Sequence, residues 1–154
     1  MKKSLVLILF PVLISCNTDE PNCCTNIDTN ILIKYLDDQG QNLLESGVYS
    51  ESNINIYHLI DGSWERYFNG FRDSPKGITV NQLEDGLYLT LSPSSTTNTS
   101  GISETKIEFS ENDFDVIKAE IEKSSNSQII TKVWYNDQLK WEAYATERKF
   151  EVVK

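Results

Sequence analysis

The sequence predicts an all-β body, an antiparallel β-sandwich of about eight or nine short strands. Apolar residues recur with a period of two from Ile31 onward, the spacing of half-buried strands. Turn-forming pairs, Asp61-Gly62, Asp85-Gly86 and Asn136-Asp137, punctuate that alternation. No longer repeat is present, so a solenoid or propeller is not expected.

Ile31, Ile33 and Tyr35 alternate with Leu32, Lys34 and Leu36 up to the turn cluster Asp37-Asp38-Gln39-Gly40. Over residues 53–61, Ile54, Ile56, His58 and Ile60 share one face against Asn55, Tyr57 and Leu59. Asp61-Gly62 then fits a two-residue hairpin turn, whose central positions both need φ > 0, with residues 64–68 returning. A loop holding Pro75 and Gly77 leads to a strand at 78–80, and Asp85-Gly86 opens another at 87–91 with its three leucines on one face. Residues 92–101 are a small polar loop without an apolar anchor, and alternation resumes at 105–109.

Residues 113–123 fit two patterns. Phe114, Ile117 and Ile121 suit a short helix capped at Ser110 or Asn112, whereas Ile117, Ala119 and Ile121 suit a strand. Strand is the favoured reading, because both neighbours are strands and a lone helix would need its own packing partner. The last hairpin turns at Asn136-Asp137 between 129–135 and 138–144. A regular register pairs Trp134 with Leu139 and Lys132 with Trp141. Ile130, Trp134, Leu139, Trp141 and Ala143 then face the core, while Thr131, Tyr135, Gln138, Lys140 and Glu142 face water. Residues 149–153 supply a terminal strand.

The front of the chain is different in kind. Lys2 and Lys3 precede an apolar run from Leu5 to Ile14, and Ser15 stands before Cys16. A charged head, a short apolar stretch and a small residue at a cut site make an export signal. The run falls short of the roughly 20 residues that span a bilayer, and Pro11 interrupts it. An ordinary secretory signal would want an A-x-A-like site, and none is nearby. The segment Leu13-Ile14-Ser15-Cys16 resembles the lipobox of bacterial lipoprotein precursors. That resemblance implies a thioether-linked diacylglycerol on Cys16, cleavage before it, and acylation of the new amino group. Residues 1–15 are thus expected to be a signal peptide, 16–30 a polar tether and 31–154 one sandwich domain. The expected location is the outer membrane, lipid-anchored, on its periplasmic or exterior face.

Charge agrees with lipid as the anchor. The 154-residue chain has 14 Lys and Arg against 23 Asp and Glu, a formal −9, and cleavage would remove Lys2 and Lys3 as well. Such a body offers no footprint for nucleic acid and is repelled by an anionic membrane surface. Of the three cysteines, Cys16 is assigned to lipid. Adjacent Cys23 and Cys24 remain open between a strained vicinal disulfide, pairing with another chain, and free thiols. With one histidine and no CxxC pair, neither a zinc site nor another metal or cofactor is expected.

The order of the turns, Asp37-Asp38-Gln39-Gly40-Gln41-Asn42-Leu43, Ile54-Asn55-Ile56-Tyr57 and Tyr135-Asn136, is similar to that of small lipoproteins of Bacteroidetes-type bacteria. This implies an immunoglobulin-like or transthyretin-like sandwich and nothing catalytic.

The residues themselves give little chemistry. His58 shares a face with isoleucines and reads as a half-buried strand residue. Ser103-Glu104-Thr105-Lys106 matches S-x-x-K, but lacks the helix start and the K-T-G partner that the motif needs. Asp37/Asp38, Asp113/Asp115 and Glu120/Glu122 are paired carboxylates. Glycosidase chemistry would need two facing each other at about 5–10 Å. The loop at 37–42 is oxygen-rich without the ligand spacing of an EF-hand. Tyr67, Tyr88, Tyr135 and Tyr144 are expected on outer faces, where rings can stack on a ligand, while Trp64, Phe68 and Phe71 are not placed. The reading is therefore a non-catalytic binding or adhesion module for protein or glycan. The alternative is an accessory subunit of an envelope complex, with an exposed apolar patch or an open sheet edge; a small hydrolase stands third.

Overall fold

The computed structural model describes residues 25–144 and 146–154. The expected signal peptide, Cys16, Cys23-Cys24 and the first part of the expected tether lie outside the described residues.

The described residues are all-β, with eleven strands in two sheets. The seven-stranded sheet runs β1 (Asn26–Asp28), β9 (Ser127–Tyr135), β8 (Asp113–Lys123), β7 (Ile102–Ser110), β3 (Asn55–Ile60) and β4 (Ser63–Arg66). In it, β10 (Gln138–Glu142) shares one side of β9 with β1. The four-stranded sheet runs β11 (Lys149–Val153), β2 (Ile31–Leu36), β6 (Gly86–Leu91) and β5 (Ile78–Leu83). Their inner faces supply one core: Ile31, Ile33, Tyr35, Leu89 and Leu91 from one sheet, and Ile54, Ile56, Ile107, Ile117, Ala119, Ile130 and Val133 from the other. Each such isoleucine or leucine contributes about 1.5–3 kcal/mol by leaving water.

The sandwich differs from a purely antiparallel one at two places. β11 lies parallel to β2 and β1 parallel to β9. Parallel neighbours need long connections, and β2 and β11 are joined through the whole intervening fold. β1 takes three residues from the expected tether. Asn26, Ile27 and Asp28 are all exposed, so no apolar period marks them. They are held by backbone pairing to β9 and by Arg148, whose Nη1 and Nη2 donate to the Asp28 carboxylate at 2.9 and 3.2 Å. That ion pair holds the Asp28 carboxyl below the usual carboxylate range.

The helix alternative at 113–123 is excluded. These residues form β8, with Asp115, Ile117, Ala119 and Ile121 inward. Asp61-Gly62 (φ 49° and 82°) and Asn136-Asp137 (φ 46° and 65°) both take the left-handed conformations that two-residue hairpin turns require.

The face assignment of the last hairpin is corrected. Trp134 does pair with Leu139, but Trp141 pairs with Val133, because Lys140 is an extra residue in β10. A second irregularity, at Thr131 against β8, shifts β9 after Ile130. A one-residue slip exchanges faces. Val133, Tyr135 and Trp141 therefore point inward, while Leu139 is 52% exposed and Trp134 is turned outward with it.

Candidate functional site

The outer face of the seven-stranded sheet follows from one inward row. Ser103, Thr105 and Ile107 are buried, so Glu104, Lys106 and Glu108 of β7 must point out. Register then lays two cross-strand rows on that face. One carries Glu104, Lys118, Trp134 and Leu139, with Leu59 and Trp64 paired at its β3–β4 end. The other carries Arg66, Tyr57, Lys106 and Val116. Phe114, 54% exposed, stands beside the second row and is paired with Glu108.

The cations of this face are engaged. Lys106 Nζ sits 4.1 Å from the centre of the Tyr57 ring, 5.7 Å from Phe114 and 5.9 Å from Trp64, and reaches Glu108 at 3.4 Å. Lys118 meets Asp137 at 2.6 Å, and that hydrogen bond raises the Lys118 pKa. Lys132 lies 3.7 Å from both Glu120 and Glu142, and Arg66 donates to Asn55 Oδ1 at 2.7 Å.

Two clefts open on this face, of about 210 and 320 Å³. Both use Asn98, Ile102 and Glu104. The smaller continues to Leu59 and the Asp61-Gly62 turn, the larger to Lys118, Trp134 and Asp137. The ridge between them belongs to the polar loop before β7, which was expected to lack an apolar anchor but buries Pro93 at its start and is pinned beyond it by hydrogen bonds. Asn98 Oδ1 accepts from the amides of Ser100 and Ile102 at 2.9 and 3.1 Å, and Lys123 Nζ donates to Ser95 O at 2.6 Å. Buried Ser94 donates its amide to Thr105 Oγ1 at 2.8 Å. The larger cleft thus offers an indole wall, an amide and two carboxylates. An indole accepts the C–H face of a sugar ring, while amide and carboxylate oxygens accept from its hydroxyl edge.

The other candidate residues are dispersed. His58 points to the inner side, its ring stacked on Tyr67 at 4.4 Å, and burial lowers its pKa to about 4. Ser103 and Lys106 of the S-x-x-K match lie on opposite faces of β7, with Ser103 Oγ donating to Ala119 O at 3.4 Å. Asp37 caps its own turn, accepting from the amides of Gln39 and Gln41 at 2.9 and 2.7 Å. Glu120 accepts from Thr131 Oγ1 at 2.8 Å, and Glu122 is exposed. Asp113 and Asp115 come together at one end of the core with Lys154. Among the described residues, no three His, Cys, Asp or Glu side chains are grouped to hold a metal.

Two of the tyrosines expected on outer faces are corrected. Tyr135 faces the core, through the bulges described above, and Tyr67 is part-buried against His58. Tyr88 does lie on the outer side of its sheet, yet is 2% exposed because Lys34 and Lys149 cover its ring. Tyr144 is fully exposed, as are Phe71 and much of Phe68 in the β4–β5 loop. The site residues that sequence reasoning missed are Asn98, Glu104, Lys118 and Asp137. They come from a loop, two strands and a turn, and only the register brings them together.

Compared with protein-family models, curated proteins and solved structures, the chain matches none.

Proposed function

We propose that this protein is a lipid-anchored, non-catalytic binding module of a bacterial outer membrane, held through acyl chains on Cys16 and taking a neutral glycan on the outer face of its larger sheet. The observation that carries the glycan reading is the cleft lined by Asn98, Ile102, Glu104, Lys118, Trp134 and Asp137. A neutral ligand is favoured because Lys106, Lys118 and Lys132 are each already paired with a carboxylate. An anionic glycan would have to break those pairs, against the negative charge of the whole body. His58 faces away from this cleft, which supports binding rather than acid–base catalysis.

The test is titration of the protein with N-acetylglucosamine tetramer, maltohexaose and mannan fragments, following tryptophan fluorescence. Saturable quenching by at least one is expected, with Trp134→Ala weakening it about 30-fold, the loss of roughly 2 kcal/mol typical of a stacked aromatic anchor. Unchanged affinity in Trp134→Ala would remove the cleft from the account. The anchor is tested separately by the intact mass of membrane-extracted protein. A chain beginning at acylated Cys16 is the expected result, and a chain cut elsewhere without lipid refutes it.

The accessory-subunit reading also has an observation in its favour. Phe68 and Phe71, 67% and 103% exposed, stand on one loop beside a cleft lined by Pro75 and Ile78. Phe68→Ser/Phe71→Ser would abolish co-purification of a partner on that reading, and leave glycan binding unchanged.

A further inference from the structure

Lys154 follows β11 and reaches from the four-stranded sheet across the end of the core to β8 of the other sheet. Its Nζ lies 2.8 Å from Asp115 Oδ2 and 2.6 Å from Asp113 Oδ1. The Asp115 side chain is 5% exposed and that of Lys154 17%. Aromatic rings enclose the group: Lys154 Nζ is 4.7 Å from the centre of Phe109, on which Tyr49 stacks at 4.1 Å, and Tyr35 meets both edge-on. Tyr35 Oη is wholly buried and has no hydrogen-bond partner among the described residues.

The hydrogen bonds around Asp115 are arranged asymmetrically. Oδ1 accepts from Asn136 Nδ2 at 2.8 Å, and Oδ2 accepts from Tyr135 Oη and from Lys154 Nζ. Asn136 is itself fixed, its Oδ1 accepting from the Val116 amide at 2.8 Å. Asp113 is held by Tyr49, whose hydroxyl donates to Oδ2 at 2.7 Å, leaving Oδ1 for Lys154.

We propose that Lys154 and Asp115 condense into an isopeptide bond that ties the two sheets together covalently. The ammonium of Lys154 passes one proton to Asp113 Oδ1. Asp113 hands that proton on to Asp115 Oδ2, which makes the carboxyl neutral and electrophilic. The freed amine pair forms the Nζ–Cγ bond to Asp115, and negative charge gathers on Oδ1, where the Asn136 amide already donates. Asp113 then carries a second proton from the nitrogen to Oδ2, and the Cγ–Oδ2 bond breaks as Oδ2 leaves as water. A carboxylate and an ammonium thus become an amide and one water, with Asp113 returned to its starting state. Exclusion of solvent favours each stage, because the amide is neutral whereas the ion pair it replaces is costly to bury. Asp113 serves as proton carrier, Asn136 as oxyanion donor, and Tyr135 and Tyr49 position the two carboxylates.

The test is tryptic digestion of the full chain followed by mass spectrometry, since cleavage at lysine places Asp113 and Asp115 in residues 107–118 and Lys154 in residues 150–154. The expected product is one branched species joining these two peptides, lighter than their sum by one water, with fragmentation placing the branch on Asp115. Lys154→Arg keeps the charge but should release the two peptides separately. Asp113→Asn keeps the shape of the site and should leave most of the chain uncondensed. Wild-type protein that releases both peptides unlinked overturns the proposal. So does a water loss confined to residues 107–118, which is an aspartyl succinimide.

Discussion

Replacing Asp115 by alanine destabilises the domain by about 3–5 kcal/mol relative to the uncondensed chain, the cost of leaving two buried donors, Tyr135 Oη and Asn136 Nδ2, unsatisfied and of removing one of the two carboxylates that pair Lys154. Asp115 is 3% exposed, and its carboxylate gathers Lys154, Tyr135 and Asn136. Alanine removes the acceptor for Tyr135 and leaves Lys154 only Asp113, while Asn136 keeps only its backbone and Oδ1 bonds to Val116. The effect reads as a lower urea midpoint at unchanged m-value. Asp113→Ala costs less, because that side chain is 37% exposed and water replaces it. Asp115→Leu with Lys154→Met recovers much of the loss, since apolar groups of similar volume satisfy a buried site without a desolvation cost. A midpoint for Asp115→Ala within 1 kcal/mol of wild type contradicts the assignment of this cluster as the fastening of the two sheets.

Acidification from pH 6.5 to 4 removes about 1–2 kcal/mol of stability through His58 alone, less than the whole shift would give because water reaches part of its ring. Burial lowers its pKa to about 4 from an ordinary 6.5, and its Nε2 is buried without a hydrogen-bond partner among the described residues. In the unfolded chain His58 takes up a proton near pH 6.5, while the folded chain resists doing so until about pH 4. The unfolded state therefore binds more protons in that window, and stability falls with pH. The contribution is complete above the ordinary value and lost on reaching the lowered one. His58→Phe keeps a ring against Tyr67, so its stability should be level over the same window when followed by thermal unfolding. The Asp28–Arg148 pair acts in a different range. Its lowered carboxyl pKa adds stability above the ordinary value of 3.8, lost only below it. A wild-type curve that stays level from pH 6.5 to 4 would show that His58 protonates freely in the folded protein.

Much of the sandwich is legible because period two and turn chemistry are local. Ile31, Ile33 and Tyr35 are all fully buried, as their alternation requires, and Asp61-Gly62 and Asn136-Asp137 adopt the left-handed conformations of their turns. What alternation cannot reveal is an inserted residue. Thr131 and Lys140 each interrupt the ladder, and past them inward and outward exchange, so Trp134 passes from expected core to the outer face of its sheet. Nor can alternation reveal a strand whose side chains all face water. β1 pairs by its backbone, with Asp28 fastened by Arg148, at a side of β9 that β10 leaves free.

The candidate cleft was illegible for a related reason. Asn98 belongs to a loop whose residues past Pro93 are all small and polar, Glu104 and Lys118 to the outward face of two strands, and Asp137 to a turn. Each alone is an ordinary solvated residue. Their meeting depends on the pairing of Glu104 with Lys118 and of Lys118 with Trp134, a property of register. The Lys154 cluster likewise needs β11 to lie beside β2, a parallel pairing that no hairpin signal announces.

Three tryptophans make the binding claim directly testable, because each contributes one indole N–H resonance. Trp134 and Trp64 stand on the outer face, whereas Trp141 is 8% exposed and donates its Nε1 to Thr146 O at 2.9 Å. In a ¹⁵N-labelled sample titrated with the oligosaccharide that quenches fluorescence, the Trp134 indole signal should move furthest. Trp64 should follow weakly, and Trp141 should stay in place. Movement of Trp141 alone, or no indole movement with any of the three saccharides, contradicts a glycan site on this face.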